Sequence, residues 1–325
     1  MGFMLKPPGA RRAHQQGAAI VSVLVLVLIA TLLVASLFWR QHLGTRSILN
    51  RQAIAQLRWV ESAVLDWAAV VLRADQNATG AVDHLQETWA VPVAETRLDE
   101  TVTAGARISG TTRSALIAGQ IFDAQARFNL SNLVRDGEPV AAQGTAYRRL
   151  LTTLGLPSEL ESALTQRLLQ AYPGTGAIAS LPPILKARDL LRVQGYDERI
   201  LAVLAPYVIF LPKRIPGPSG VNQTGMTKIN LNTAPAEVLA AMSEDIPIDA
   251  ARGFVALRER VIYTSLDQAG SAISPPVTFS AELFSVGSSF FLLSGMVRFE
   301  RVEASSEALF FRGPAKVELV WRQQY

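Results

Sequence analysis

Residues 16–40 read QGAAIVSVLVLVLIATLLVASLFWR. Ala18 to Trp39 is an uncharged run of 22 residues, closed by Arg40, and roughly 20 apolar residues suffice to carry a helix across a bilayer core. Before it lies a short polar leader, Met1 to Gly17, with Lys6, Arg11 and Arg12 and no acid. Basic residues on that flank hold it on the cytoplasmic side. A cleaved secretory signal places its small residues after an apolar region of roughly 7–15 residues. Here Gly17, Ala18 and Ala19 come before the run. A cut between Gly17 and Ala18 removes the leader and leaves the whole apolar helix on the mature chain, with Ala18 as its amino terminus.

The segment downstream continues the helix. Gln41 to Ala74 contains no proline, and Ala53, Leu57, Val60, Val64, Trp67 and Val71 recur at three- and four-residue spacing, the signature of an amphipathic helix. Apolar and amphipathic halves together span about 85 Å at 1.5 Å per residue. Gly44 and Asn50 mark a soft joint within it, the alternative being two separate helices, and Asp75-Gln76-Asn77 followed by Gly80 predict its end.

After the helix the pattern changes. Arg107 to Ile121 and Ala126-Arg127-Phe128 read as short strands around turns at Gly110-Thr111 and Asp123-Ala124. Ala142 to Asp267 is helical in period, with loops at Tyr172-Pro173-Gly174 and from Ile215 to Gly220. Phe290 to Phe299, Ala308 to Arg312 and Ala315 to Trp321 return to strand. A helical block between two sets of strands predicts an α+β fold whose antiparallel sheet is completed by the C-terminal strands. The predicted division is 1–17 leader, 18–39 transmembrane half and 40–75 amphipathic half of the spine helix. The first part of the α+β domain follows at 76–140, an inserted all-α domain at 141–270, and the closing strands at 271–325.

Composition narrows the function classes. The formal charge of +4 comes from 31 basic and 27 acidic residues. Without Lys6, Arg11 and Arg12, 28 basic residues face 27 acidic ones, which leaves no general electrostatic footprint for nucleic acid. No cysteine is present, so disulfides and thiolate chemistry are excluded. His14, His42 and His84 stand too far apart for zinc-site spacing.

The small-residue junction ahead of an apolar helix resembles the prepilin leader of type IV pilins and type II secretion pseudopilins. The resemblance implies cleavage by a prepilin peptidase after Gly17 and possible N-methylation of Ala18. Pilins usually carry Glu at the fifth mature position, and here that position is Ser22. The protein K family of type II secretion characteristically lacks that Glu, and a large helical domain inserted in the sheet is also its hallmark. Ile121-Phe122-Asp123 running to Phe128-Asn129-Leu130-Ser131-Asn132-Leu133, and Ile229-Asn230-Leu231-Asn232-Thr233-Ala234-Pro235, carry the resemblance. It implies a pilin-like helix packed on an antiparallel sheet, and a minor pseudopilin at the tip of the pseudopilus. Implied partners are the I and J minor pseudopilins, the major pseudopilin, the prepilin peptidase and the inner-membrane assembly platform. The implied location is the inner membrane, single-pass, with the C-terminal domain in the periplasm. The two Asn-bearing phrases, each followed by an Arg-bearing helix, also read as an internal repeat of two small helical subdomains.

Other functions fit the residues less well. Ile229 to Arg260 looks like a helix-hairpin-helix of DNA receptors, in a SAM-like helical domain. Yet its hairpin, Ser243 to Asp249, has no glycine and three acids, and Lys228 to Asp267 carries four basic and six acidic residues. Phosphate is repelled there, so no nucleic-acid partner is expected, and Asn230 and Asn232 are expected to cap or tie the helix at Pro235. No Gly-x-Ser-x-Gly elbow accompanies His84, and no phosphate-binding loop is present; neither catalytic nor cofactor residues are assigned. Calcium is the one cofactor the resemblance leaves open, with Asp99-Glu100, Asp123 with Asn129, and Glu244-Asp245 with Asp249 as oxygen sources of no recognisable spacing. Tyr207 to Leu211 and Phe290 to Leu293 read as core. A membrane-tethered periplasmic binding module and a minor pilin of a type IV pilus are the alternatives.

Co-expression with a prepilin peptidase is expected to yield a product beginning at Ala18, read by intact mass and N-terminal sequencing. A chain that keeps Met1 or is cut beyond Trp39 contradicts the filament reading.

Overall fold

The computed structural model describes residues 13–98, 115–174, 176, 178–217, 220–223, 225–299 and 302–325. The leader up to residue 12, the predicted turn at Gly110-Thr111 and the pair Asp99-Glu100 lie outside them. Two compact units divide the chain, one up to Arg58 and one from Trp59 to Tyr325.

Helix α1 runs from Ala13 to Thr79 through both Gly44 and Asn50. Single residues of weak propensity cost about 1 kcal/mol at most, too little to break a long run of good helix formers. The segment from Ala19 contains the one candidate membrane span among the described residues, with a mean hydropathy of 3.0. The helix stops where Gly80 takes φ 76°, a left-handed conformation that glycine adopts without a Cβ penalty.

Within the second unit, β1 (Val93–Leu98) and β2 (Ala115–Asp123) lead to the bridging strand β3 (Phe128–Asn129). Helices α2 (Ala141–Thr153), α3 (Leu160–Ala171) and α4 (Glu198–Leu204) follow, then β4 (Val208–Ile209) and β5 (Ile229–Asn230). Next come α5 (Ala236–Met242), α6 (Ile248–Leu257), α7 (Leu266–Ser271) and β6 (Phe284–Ser285). Strands β7 (Phe290–Phe299), β8 (Val302–Arg312) and β9 (Val317–Gln324) close the chain.

The sheet is antiparallel in the order β1-β2-β7-β8-β9. Asp123 lies opposite Phe291 in the β2–β7 pair, so the chain leaves and re-enters the sheet at one end, with the helical block between. Alternate residues of β7 face opposite sides. Phe291 and Leu293 join Leu65, Ala68 and Leu72 of α1, with Trp89 and Phe310. Phe290 and Leu292 join Ile209, Leu211 and Leu309 on the other side. Of the two apolar runs singled out in the sequence, Phe290 to Leu293 is buried throughout and Tyr207 to Leu211 is buried except for the half-buried Tyr207. The fold is thus α+β, a long helix packed on an antiparallel sheet with a helical insert.

Three details differ from the sequence reading. Ala124–Ala126 is a 3-10 turn, and Phe128–Asn129 belongs to the insert rather than to the sheet. The predicted loop from Ile215 to Gly220 is an antiparallel pair, Arg214–Gly217 with Gly220–Gln223. The insert's single core takes in Phe128, Leu130 and Leu133 at one end and Ile273, Phe279 and Phe284 at the other, so it reaches past 141–270 on both sides. Short apolar phrases separated by polar turns carry no periodicity that assigns them to one core or another.

A close approach fixes the turn before β7. A Cβ on Gly287 would stand 1.9 Å from the carbonyl oxygen of Ala81, whereas one on Gly253, in α6, meets nothing within 4 Å. Gly287→Ala is expected to lower the Tm strongly, and Gly253→Ala to raise stability by up to about 1 kcal/mol, both read by thermal unfolding.

Candidate functional site

The densest group of buried polar side chains sits where α1 ends, β8 ends and the insert begins. Asp75, Asp83, Glu87, Asp123, Asn230, Thr233, Ser288 and Arg312 are all buried. Arg312 closes β8, the first polar side chain after the run Ala308 to Phe311. Its Nη1 donates to Asp75 Oδ2 at 3.0 Å, and its Nη2 donates to Asp83 and to the carbonyl of Ser288 at 2.8 Å. The guanidinium also lies 4.5 Å from the centre of the Phe291 ring, a cation–π distance.

From Asp83 the bonds pass into the insert. Ser288 N donates to Asp83 Oδ2 at 2.6 Å, and Ser288 Oγ donates to Asp123 Oδ2 at 2.7 Å. The same Asp123 oxygen accepts from Thr233 Oγ1 at 2.5 Å and from Asn230 Nδ2 at 2.9 Å. Asn230 Nδ2 also reaches the Asp83 carbonyl at 3.1 Å. Asp123 Oδ1 accepts from the backbone of Gln125, whose side-chain oxygen accepts from Ser289 N. One buried network thus joins the end of α1, the sheet and both ends of the insert.

Burial governs the protonation of these carboxyls. It pushes Asp75 up to about 6, helped by Glu87 and opposed by Arg312. It pushes Asp123 up to about 6 as well, against the hydrogen bonds from Thr233 and Ser288. Asp83 is raised by burial too, with Arg312 pulling the other way.

The two Asn-bearing phrases are built alike. Asn129 Oδ1 accepts from Ser131 N and Asn230 Oδ1 from Asn232 N, each at 3.0 Å. β3 pairs in parallel with β4, and β5 in parallel with β6. Each phrase therefore opens a helical segment that a parallel two-residue bridge closes. Asn129 and Asn132 tie this turn to Leu211 and Thr227, while Asn232 holds both the N–H and the carbonyl of Tyr263. Neither Asn230 nor Asn232 caps α5, whose N-cap is Pro235 with no side-chain bond; of the two roles expected, they tie. Arg258 holds the turn from the other side, donating to the carbonyls of Leu231, Thr233 and Ala234. Burial brings it down to about 10, still charged at neutral pH.

Among the described residues, the oxygen sources named for calcium do not converge. Asp123 is enclosed by its donors, Asn129 Oδ1 is taken by Ser131 and Leu211, Glu244 pairs with Arg149, and Asp249 pairs with Arg252. Among the described residues the one group of carboxylates gathered as closely as metal ligands is Asp75, Asp83 and Glu87, and there the cation is Arg312. Gly17 and Ala18 fall within the backbone span of α1, and Ser22 is exposed on it. His84 lies beside the junction, with Nδ1 accepting from Gln86 N. Sequence reasoning singled out Asp123 and Asn230 but missed Asp75, Asp83, Ser288 and Arg312 as a group. The available signal was an arginine closing an apolar strand.

Comparisons with known proteins agree with this architecture. Residues 126–213 and 229–285 match two family models, both described as type II secretion system protein K. These ranges begin and end close to the paired bridges of β3 with β4 and β5 with β6. The chain is 31% identical over 283 residues to the type II secretion system protein K of Pseudomonas aeruginosa, covering 79% of this chain and 76% of that protein. A chain of the crystal structure of the GspK-GspI-GspJ complex from enterotoxigenic Escherichia coli matches with a TM-score of 0.63 at 20% identity, covering 85% of this chain and 98% of that one. At that identity the likeness shows the fold.

Removing one partner of a buried ion pair leaves an uncompensated charge, at a cost of about 3–5 kcal/mol. Arg312→Leu is expected to destabilise the second unit by that order, measured by denaturant unfolding. Arg298→Leu, whose partners Glu95 and Glu303 are exposed, is expected to change stability by less than about 1 kcal/mol.

Proposed function

Because the chain belongs to the protein K family of the type II secretion system and is therefore a minor pseudopilin, we propose that it sits at the tip of the pseudopilus. There it starts or caps assembly and supports protein export across the outer membrane. The observation that carries the reading is α1 itself, an apolar helix with Ile20 to Trp39 exposed, whose last turns pack on the sheet. Such a helix is stable first in a bilayer and later against neighbouring helices, where its apolar surface is again removed from water.

The leader is proposed to be removed after Gly17 by the prepilin peptidase, leaving Ala18 as the amino terminus and site of methylation. Ser22 then stands where most pilins present Glu to the amino terminus of a neighbour. A subunit at the tip has no neighbour above it to meet, so this loss fits the terminal position. The E. coli relative was crystallised as a complex of K, I and J subunits, and the corresponding I and J minor pseudopilins are the partners proposed here. The C-terminal domain is proposed to lie in the periplasm, anchored by the single candidate span in α1. Contacts with the major pseudopilin and the assembly platform follow from the same placement. A tethered DNA-binding module is disfavoured by Glu244, Asp245 and Asp249 around the α5–α6 hairpin.

Deleting the gene in its native host is expected to stop outer-membrane export, and the affinity-tagged full chain is expected to co-purify the I and J subunits from membranes. Export that continues without the chain, or a tagged chain that recovers neither subunit, rejects the tip assignment.

A further inference from the structure

Three carboxyls meet one guanidinium at the junction. One oxygen from each of Asp75, Asp83 and Glu87 lies within 4.8 Å of the other two, and all three residues are buried. Arg312 contacts Asp75 and Asp83. Glu87 is held on its other side, where Oε2 accepts from Trp89 Nε1 at 2.7 Å and from His84 N at 3.1 Å. Its second oxygen, Oε1, is buried without a hydrogen-bond partner. His84 Nε2 stands 3.7 Å from it, beyond hydrogen-bond reach.

Three ionised carboxyls with one guanidinium would leave an excess of negative charge out of water, and an orphaned acceptor beside it. Buried charges of like sign are relieved by protonation of one of them. A divalent cation would also neutralise the excess, but it would stand against the guanidinium that already occupies the site. A proton on one of the carboxyls supplies the missing charge and occupies no volume. The groups facing Asp75 are Glu87, Asp83 and Arg312, those facing Glu87 include His84, and Asp123 is reached only through Ser288 and Asn230.

We propose that the folded chain retains one proton in this carboxyl cluster, on Asp75 beside the Glu87 carboxylate, which makes the junction a latch that tightens as pH falls. Burial and the Glu87 charge raise Asp75 to about 6 in spite of Arg312. A carboxyl raised on folding binds its proton more tightly in the folded chain than in the unfolded one. Its stabilisation is full below the ordinary carboxylate range and is lost as pH rises through about 6.

Thermal unfolding of the full-length chain in detergent, from pH about 4 to about 8, compares the wild type with Glu87→Gln, Asp75→Asn and His84→Gln. A glutamine at 87 or an asparagine at 75 removes one negative charge from the cluster, and with it the need for the retained proton. Either variant is expected to flatten the fall in Tm and to reduce the protons linked to unfolding by about one. Having both variants keeps the test open should one fail to fold, and Asp123 contributes equally to all four chains. His84→Gln is expected to keep the wild-type slope. The proposal is overturned if Glu87→Gln and Asp75→Asn keep the wild-type slope, with Tm merely lowered at every pH. It is also overturned if His84→Gln alone flattens the slope, or if calcium raises the wild-type Tm and the Glu87→Gln Tm stays unmoved.

Discussion

The charge of Arg312 is held in a place that water does not reach, and the rest of the second unit is arranged around that constraint. Removing an ion from water costs several kcal/mol, recovered only where partners are well placed on several sides. Arg312 has Asp75 from the end of α1, Asp83 from the loop behind it, the Ser288 carbonyl from the turn before β7, and the Phe291 ring as a face. Moving any of these segments strands a charge. The end of the long helix, the end of β8 and the return of the chain from the insert are therefore fixed as one object. Gly287 belongs to the same constraint, because the turn carrying Ser288 must run against the Ala81 carbonyl.

The network also sets how the insert meets the sheet. Asp123 ends β2 and Phe290 begins β7, so the insert hangs from two neighbouring strands at one point. Two strand ends alone would let it swing. Asp123 Oδ2 takes donors from Ser288, Thr233 and Asn230, so a residue of the sheet is bonded to the second Asn-bearing phrase. The first phrase has no such role: Asn129 turns inward to Leu211 and Thr227. The two segments share a construction, a parallel bridge with an Asn-centred turn, and differ in what the Asn side chain reaches. Only the second is positioned to lock the insert to the sheet.

The sequence showed the parts that rest on local pattern. An apolar run of bilayer length, a three-to-four residue period after it, and alternation in the last strands need only neighbouring residues to be read. The small-residue junction before the run was equally local. The candidate site was legible only in part. Asp123 and Asn230 stood in quotable phrases, but Asp75 and Arg312 are separated by 237 residues, and a buried ion pair across that distance leaves no period. Asp83 and Glu87 flank a histidine in a segment that reads as solvated surface. The strand β1, with Glu95 and Arg97 in six residues, shows too little apolar alternation to stand out from a loop. Of the two roles expected of Asn230 and Asn232, capping α5 is not taken up for a related reason: they have the right chemistry for it, yet their side chains are claimed by partners remote in sequence.

The same separations order the assembly of the fold. The insert holds its own continuous core, from Phe128 to Phe284, which joins segments as distant in sequence as α2 and α5. The sheet depends on a longer connection still. β2 must wait for β7, across the whole insert, and Asp75 and Asp83 stay without their cation until β8 is in place. Before that moment the carboxyls at the end of α1 favour water, and the apolar face of Leu65, Ala68 and Leu72 above them lacks Phe291, Leu293 and Phe310 to cover it. Arrival of β7 and β8 supplies both at once, the apolar side chains along their length and the guanidinium at the end. Hydrophobic closure of the sheet on α1 and neutralisation of the buried acids thus depend on the same two strands, and Arg312 is where they meet.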